Sequence, residues 1–398
     1  MFLIRHSKPE DTATFLKLAR MVYFINLPPD ERIIDAKIQH SLACFKSVGS
    51  GDSEAVVPAG SSNGTPGRRK PRSGGGTGGF ASDEAASRLF MFSIEDSDAG
   101  SVIGTSQVRA RQGGPGNPNW SMKLAERKFF SESLGVGTTH TTATLYADET
   151  GPTEIGGLIL QPSYRGHPLR PGRFLSFVRF HFMGLYPRAF ADRVLAEMMA
   201  PVSSEGDNIF WDHIGRKFIP VKYAEADRFC QHNRKFIPEL LPHEEIYLTL
   251  LPLEVLNTVG VVARETIPAR RMLESLGFKY RGFIDPFDGG PHLDCAVKDI
   301  ALVRDTRRTP LGKPISADRC PSRAIVSVLS PEGEFRATEC PCEGGKAGAV
   351  RLPAEAMDLL GAKPGDEVGY TCLDSAPGAP KAARARAGKR PARGRVKA

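Results

Sequence analysis

The sequence predicts an α/β protein in which helices flank a mixed β-sheet. Residues 158–180 read as an apolar strand, an Arg/Gly-rich loop and an amphipathic helix, and residues 259–285 read as strand, helix and strand. Residues 88–109 read as a β-hairpin around a polar turn. Strands that alternate with helices along one chain are typical of this class.

The composition is that of an ordinary globular protein. Of the 398 residues, 40% are hydrophobic and 25% are charged, which is the usual balance. No apolar run approaches the roughly 20 residues of a membrane-spanning helix. The N-terminal MFLIRHSKPED reads as a strand and turn rather than as a signal peptide. We therefore expect a cytoplasmic protein with no membrane partner.

Seven cysteines are scattered along the chain. Their number is odd and no C-x-x-C pair occurs, so a disulfide framework is not expected. Cys340, Cys342 and Cys320 lack the spacing of a zinc ribbon and an evident fourth ligand. Reduced thiols and no metal site are the expectation.

The net charge of +8 is concentrated at the end of the chain. The tail holds no acid and eight basic residues, namely Lys381, Arg384, Arg386, Lys389, Arg390, Arg393, Arg395 and Lys397. Subtracting these eight charges leaves residues 1–380 formally neutral. The pattern predicts a disordered basic tail at 375–398 and no specific nucleic-acid partner.

The N-terminal part opens with a short strand at 2–5. Asp11 is a good N-cap for a following helix, and a second helical pattern covers 29–45. From 47 to 86 the composition is dominated by Gly, Ser, Pro and Ala, which predicts a disordered insertion. A hairpin of strands at 88–94 and 102–109 follows.

Further elements are predicted from periodicity in the rest of the chain. Strands are expected at 141–146, 154–160 and 193–199, and a helix at 207–218. The helix within 259–285 begins near Thr266 and ends at Gly277, the usual C-cap residue. Residues 309–374 read as a small β-rich unit.

The stretch from Leu158 to Phe180 predicts a binding site for a phosphorylated ligand. A strand leads into a loop rich in Arg and Gly, and the loop leads into a helix N-terminus. Backbone N–H groups of such a loop, together with the helix dipole, favour an anion.

This order of elements resembles the GCN5-related N-acyltransferase fold, in which such a loop wraps the coenzyme A pyrophosphate. The chain is also similar to the arginine N-succinyltransferase family. The similarity rests on EIGGLILQPSYRG at 154–166, GRFLSFVRF at 172–180, VLAEMMAPVSSEGDNIFWDHIGRKF at 194–218, KFIPELLPHEEIY at 235–247 and IDPFDGGPHLDC at 284–295.

The resemblance implies a GCN5-related N-acyltransferase-like mixed sheet flanked by helices, with a small β-rich C-terminal subdomain. An acyltransferase domain would comprise 1–46 and 87–308, the disordered insertion 47–86, the subdomain 309–374 and the basic tail 375–398. The implied reaction is transfer of a succinyl group from succinyl-CoA to the α-amino group of arginine. Succinyl-CoA is then a co-substrate, and no permanently bound cofactor is expected.

The resemblance also implies the residues of the coenzyme site. Leu158 would lie beside the thioester, where a splayed strand supplies a backbone donor to the oxyanion. The remaining coenzyme contacts would be Leu160, Arg165, Gly166, Arg170, Gly172 and Arg173. The loop carries prolines where the family has glycines, and proline removes donors, so Arg170 would supply part of the missing positive charge.

The proton-transfer side departs from the family pattern. The family's proposed general acid is a His in a G-Q-V-H-P segment, and the corresponding residue here is Ala263. His292 or Glu265 is expected to take over proton transfer, with a water chain as the alternative.

Asp285 and Asp288 are candidates for pairing with a guanidinium substrate. Turn formation at Asp288-Gly289-Gly290 is the alternative role.

Two other functions remain open from sequence. One is N-acyl transfer with a different acyl-CoA or amine, and the other is a catalytically silent, coenzyme A-binding partner subunit. The resemblance favours a homodimer, or a heterodimer with a related subunit.

Overall fold

The computed structural model describes residues 1–21, 27–51, 87–203, 205–230, 234–344 and 348–374. Most of the predicted insertion at 47–86 and all of the predicted tail at 375–398 lie outside these ranges. Residues 47–49 belong to a helix, so the regular structure extends beyond the expected start of the insertion. Within the described residues, no helix is long and apolar enough to cross a membrane.

Fifteen strands form the sheet of the described chain. They are β1 (Phe2–His6), β2 (Leu89–Asp96), β3 (Ser101–Arg109), β4 (Asn119–Ser131), β5 (Val136–Asp148), β6 (Thr153–Leu160), β7 (Arg193–Glu197), β8 (Ile246–Tyr247), β9 (Lys279–Ile284), β10 (Pro291–Ala296), β11 (Arg307–Pro310), β12 (Ser322–Leu329), β13 (Phe335–Gly344), β14 (Val350–Arg351) and β15 (Glu367–Cys372).

The helices lie between these strands in the chain. They are α1 (Thr12–Ala19), α2 (Glu31–Gly49), α3 (Pro171–Leu185), α4 (Ile209–His213), α5 (Gly215–Phe218), α6 (Tyr223–Cys230), α7 (Phe236–Leu240), α8 (Leu253–Leu256), α9 (Ile267–Ser275), α10 (Ala301–Arg304) and α11 (Ala354–Leu360).

The strand order is β11-β15-β12-β13-β1-β2-β3-β6-β7-β10-β9-β4-β5-β8, with β14 paired to β13. Among the described strands, neighbours are antiparallel except for β6 and β7, which run parallel. The predicted class, a mixed sheet flanked by helices, is therefore confirmed. The single parallel pair lies in the middle of the sheet, beside α3.

The main core forms around α3. This helix is apolar on most of its circumference, and Phe174, Phe177, Phe180 and Phe182 are fully or almost fully buried. A helix that is apolar on all sides is covered on all sides. Here α3 contacts β3 and β6 on one side and α10 on another. Its N-terminus is thereby held rigidly at the middle of the sheet.

A second core lies beneath α4 to α8, against β4 and β9. The ring of Trp211 stacks on Phe287 with centroids 5.1 Å apart, and the indole N–H donates to the Val221 carbonyl at 3.0 Å. These contacts fix the α4–α8 segment over the end of β9, so this helical layer forms one wall of the cleft described below.

The last part of the chain has its own hydrophobic cluster, which includes Val326, Cys340 and Leu360. Its strands nevertheless continue the main sheet, because β13 pairs with β1 from Leu3↔Thr338 to Arg5↔Arg336. The unit expected at 309–374 is thus joined to the rest by backbone hydrogen bonds.

Three local expectations were wrong. Strand β4 was not predicted, because its second half, KLAERKFFS, is charged and largely exposed. The extended conformation of β4 comes from its pairing with β5 along all 13 residues. The apolar run 259–263 is not a strand. The helix expected at 207–218 is divided into α4 and α5 at Ile214.

Candidate active site

Strands β6 and β7 part almost as soon as they have paired. The parallel register holds at Thr153↔Val194 and Glu154↔Leu195, after which β6 continues to Leu160 paired, among the described strands, only with β3. On its other side β7 stays paired with β10. The result is a gap in the middle of the sheet, opened between two strands that are each held firmly on the far side.

A β-bulge lies on the β6 side of this gap. In the pairing of β6 with β3, Thr105 faces Ile159 and Gln107 faces Gly156, which leaves Gly157 and Leu158 opposite Ser106 alone. Gly157 has φ +57°, as expected for a bulge whose first residue is a left-handed glycine. The extra residue of a bulge has no regular ladder partner.

The loop after β6 leads directly into the N-terminus of α3, where backbone amides of the first helical turn lie. Arg170, with φ +50°, is the N-cap residue of α3, and Pro171 occupies the first helical position. The N-cap side chain makes no capping hydrogen bond to the first turn of α3. Gly172 packs close to Leu160, because a Cβ there would lie 3.4 Å from Leu160 Cδ2. Arg165 and Gly166 are exposed in the loop. This geometry suits a phosphate at the helix N-terminus.

Arg173 is engaged by a carboxylate from another part of the sheet. Its guanidinium donates to Glu339 Oε1 on β13 at 2.7 Å, and the two side chains are 11% and 5% exposed. Arg323 Nε lies 3.3 Å from the same oxygen. Arg173 therefore ties α3 to the C-terminal strands, while its backbone N–H bonds the Arg170 carbonyl in the first turn of the helix.

A cleft opens at the end of β7. Its walls come from the start of β4, the end of β7, the turn after β9, and the α6–α7 region. The lining residues are Asn119, Trp120, Glu197, Cys230, Arg234, Ile237, Asp285, Pro286 and Phe287.

Glu197, Asp285 and His292 meet at the floor of this cleft. His292 Nε2 lies 4.0 Å from Glu197 Oε1 and 3.9 Å from Asp285 Oδ2. His292 is 6% exposed, and its Nε2 has no hydrogen-bond partner within the part of the chain that the structure describes. Asn119 Nδ2 donates to Glu197 Oε1 at 2.8 Å. A buried imidazole nitrogen is thus directed at two carboxylates.

Burial and mutual charge shift the pKa values of this cluster. Burial raises the pKa of the Glu197 carboxyl, and His292 opposes that shift. For His292, burial lowers the pKa, but Asp285 and Glu197 outweigh it and the pKa is raised. Burial and the charge of Asp285 raise the pKa of Asp288. Perturbed pKa values in a cleft are typical of functional sites.

The two aspartates of the turn after β9 differ in what their oxygens do. Asp288 accepts from the backbone N–H groups of Ala200 at 2.9 Å and Gly290 at 2.7 Å, one on each oxygen. Asp285 Oδ1 accepts from the N–H groups of Phe287 and Asp288. Asp285 Oδ2 is the oxygen that faces His292. The turn role is therefore present in both residues, and Asp285 also has an oxygen directed into the cleft.

Asp227 on α6 adds a further carboxylate to this region. Burial, and then the charge of Asp285, raise the pKa of Asp227 to about 6. Its Oδ1 is buried without a hydrogen-bond partner among the described residues. Arg234 opposes the shift and donates to Asn119 Oδ1 at 3.4 Å.

The sequence did not single out Glu197, Asn119, Asp227 or Arg234. Glu197 lies within the motif at 194–218 and was read only as part of a strand. Of the two residues expected to transfer protons, His292 is in the cluster, whereas Glu265 is exposed and does not line the cleft. Ala263 donates its N–H to Met199, two residues beyond Glu197.

Glu197, Asp285 and His292 offer ligand atoms within 4.8 Å of one another, but at wider spacings than in a regular tetrahedral zinc site. In a tetrahedral zinc site with bonds near 2.0 Å, two ligand atoms lie about 3.3 Å apart. The separations of 3.9 and 4.0 Å from His292 are wider. We therefore consider an organic cation as the occupant of this cleft.

Comparison with known proteins points to one family. A family profile described as "Arginine N-succinyltransferase beta subunit" matches residues 77–302. An arginine N-succinyltransferase of Yersinia pestis is 33% identical over 294 residues, covering 71% of this chain and 82% of that protein. One from Escherichia coli is 34% identical over 282 residues, covering 70% and 80%.

A solved structure has the same fold. Subunit AI of the arginine/ornithine succinyltransferase from Pseudomonas aeruginosa superposes with a TM-score of 0.72 and 24% identity. The match covers 94% of this chain and 99% of that one. The arrangement of strands and helices described above is therefore shared with that subunit.

Proposed function

Because this chain belongs to the arginine N-succinyltransferase family, we propose that it transfers a succinyl group from succinyl-CoA to the α-amino group of arginine. One observation supports this reaction above the others. An anion-binding loop and a strand bulge lie on one side of the β6–β7 gap, and an acidic cleft begins at the end of β7 on the other. Such a gap suits a thioester presented to a cationic amine.

The donor side uses backbone groups more than side chains. The pyrophosphate lies at the α3 N-terminus, against Gly166 and Gly172, with Arg165 and Arg170 supplying positive charge. Leu158 and Leu160, both half-buried, flank the pantetheine arm. The Leu158 N–H donates to the thioester carbonyl as it becomes an oxyanion, a type of contact worth about 10²–10³ in kcat. Arg173 contributes by fixing α3.

The acceptor side has more negative than positive charge. Its acids are Glu197, Asp227, Asp285 and Asp288, whereas its basic side chains are Arg234 and His292. Buried carboxylates require a counter-charge, and a bound arginine supplies a guanidinium with five N–H donors. Asp285 Oδ2 and Asp227 Oδ1 accept from it, and Asp288 holds the turn that carries Asp285.

Transfer is direct, without an acyl-enzyme. The amine attacks the thioester carbonyl, and coenzyme A leaves as the thiol. His292 is a candidate for proton transfer because it lies in the cluster, and Glu265 remains a candidate only if its exposed carboxylate acts through water. No permanently bound cofactor is needed for these steps.

A thiol-release assay tests the proposal. Purified protein is mixed with succinyl-CoA or acetyl-CoA and with arginine, ornithine or other amines. Release with succinyl-CoA and arginine supports the proposed reaction. Release only with another pair assigns a different acyl donor or amine. Thermal stabilisation by coenzyme A without turnover assigns the chain as a silent coenzyme A-binding subunit.

We also propose that the protein acts in the cytoplasm as a homodimer, or together with a related subunit. Support comes from relatives described as a beta subunit and as a subunit AI. Light scattering on the purified chain, alone and with such a relative, measures the assembly directly.

A further inference from the structure

The end of β7 brings one carboxylate level with the strand bulge. The parallel register pairs Glu154 with Leu195, so counting two residues along each strand sets Gly156 level with Glu197. Gly156 immediately precedes the bulge at Gly157 and Leu158. The Glu197 carboxylate therefore lies at the start of the acceptor cleft, next to the part of β6 where the thioester carbonyl would be held.

Glu197 is also fixed by one hydrogen bond and faces a histidine. Asn119 Nδ2 donates to its Oε1 at 2.8 Å, and His292 is its cross-strand neighbour on β10. Its side chain is 16% exposed, so the carboxylate is shielded but reachable from the cleft. A base fixed by a hydrogen bond and open to the substrate meets the geometric requirement for proton transfer.

The charged groups around Glu197 come from several elements. They are His292 on β10, Asp285 in the turn after β9, Glu154 on β6 and Arg234 before α7. Burial raises the pKa of Glu197, and the charges of Glu154 and Asp285 add to it, while His292 and Arg234 act in the opposite direction. A carboxylate shifted in this way becomes a better proton acceptor at neutral pH.

We propose that Glu197 is the catalytic base, which takes a proton from the α-ammonium group of the acceptor, and that His292 is a positioning residue for it. This proposal rests on the proposed N-acyl transfer. It assigns the proton-accepting role to a residue on β7, at the edge of the gap, and leaves His292 to act on that carboxylate through its charge.

The electrons and protons balance as follows. Glu197 accepts one proton from the ammonium, and the nitrogen lone pair forms a bond to the thioester carbon. The carbonyl π electrons move to oxygen. When they return, the C–S bond breaks and the thiolate leaves with the bonding pair. The thiolate takes the second proton from the new amide nitrogen, and Glu197 releases its proton to solvent.

The first test is Glu197→Gln, which keeps the acceptor for Asn119 but removes the base. At neutral pH, kcat should fall about 10²–10⁴-fold, the usual contribution of general base catalysis. In the unaltered enzyme kcat/KM should fall as pH drops and Glu197 becomes protonated. The variant should lack that limb, and its rate should rise as pH approaches the pKa of the acceptor amine. Unchanged thermal unfolding and coenzyme A affinity would show that the fold is intact.

A second pair of variants guards against a purely structural effect. Glu197→Ala should regain part of its kcat when formate is added, because the small carboxylate occupies the vacated space. Glu239→Gln, which removes the same charge from an exposed position on α7, should behave as the unaltered protein.

Three outcomes would refute the inference. These are an undiminished kcat in Glu197→Gln, a loss with an unaltered pH profile and no rescue by formate, and an effect on KM alone. If the unaltered protein turns over no amine at all, the proposed function fails as well, which separates the two failures.

Discussion

Replacing Gly157 by alanine tests the bulge on β6. Gly157 has φ +57°, and an L-residue in the left-handed region costs about 1–2 kcal/mol. Its new Cβ would lie 3.1 Å from Gln107 Cγ and 3.3 Å from Gln107 Cδ, so the glutamine must shift as well. We expect the free energy of unfolding to fall by about 2 kcal/mol.

The same substitution should impair catalysis more than stability. If the bulge straightens, the Leu158 N–H leaves the gap, and losing one oxyanion donor costs about 10²–10³ in kcat. Denaturant unfolding and thiol release measure the two effects on one preparation. Gly100→Ala is the matched control, because Gly100 has φ +61° with nothing within 4 Å of a Cβ and lies in the β2–β3 turn. Equal kcat in the two variants, or full kcat in Gly157→Ala, would refute the reasoning.

Three further predictions follow from other contacts. Asp227→Asn should raise KM for arginine about 10–100-fold, as expected for the loss of a charged hydrogen bond. The KM for citrulline, the uncharged isostere of arginine, should change little. If steady-state kinetics show equal effects on the KM of arginine and of citrulline, Asp227 does not contact the guanidinium. Glu339→Gln leaves Arg173 without its buried carboxylate and should destabilise the protein by about 3 kcal/mol in urea unfolding, and an unchanged midpoint would count against the ion pair. Burial alone would raise the pKa of Asp11, but the bidentate contact with Arg5 outweighs burial, so the pKa of Asp11 is lowered in the folded protein. The stability that this pair contributes is therefore present above pH 3.8 and is lost as pH falls through the folded pKa. Asp11→Asn should flatten the acid limb of stability against pH, and an unaltered limb would exclude this pair as its source.

The coenzyme side of the candidate site was largely predictable. Residues 158–180 hold strand, loop and helix within one continuous segment, so local pattern and turn chemistry were sufficient to predict these elements and to propose an anion site there. The structure gave one residue of that segment, Arg173, a different role from the expected one. Arg173 pairs with Glu339, which is 166 residues away, and such a partner has no signature in local sequence.

The acceptor side was only partly predictable. His292 and Asp285 lie seven residues apart in one motif and do meet in the cluster. Glu197 and Asn119 come from distant strands, and Asp227 comes from a helix without a recognisable motif. Their proximity depends on strand order, since β7 pairs with β10 and β4 pairs with β9, although the partners in each pair are far apart in the chain.

The sequence by itself determined the class of fold and the family, and it predicted an anion-binding loop, because each depends on contiguous residues or on short-range periodicity. The tertiary structure alone decided where β6 leaves β7, which residues face each other across that gap, and which carboxylate oxygens remain unsatisfied in the cleft. Those features arise from long-range pairing and from burial, which change the energy of a charge without changing the residue that carries it. Glu197 illustrates the difference. In the sequence it is one polar residue of a strand, and in the fold it is a half-buried carboxylate beside the β6–β7 gap.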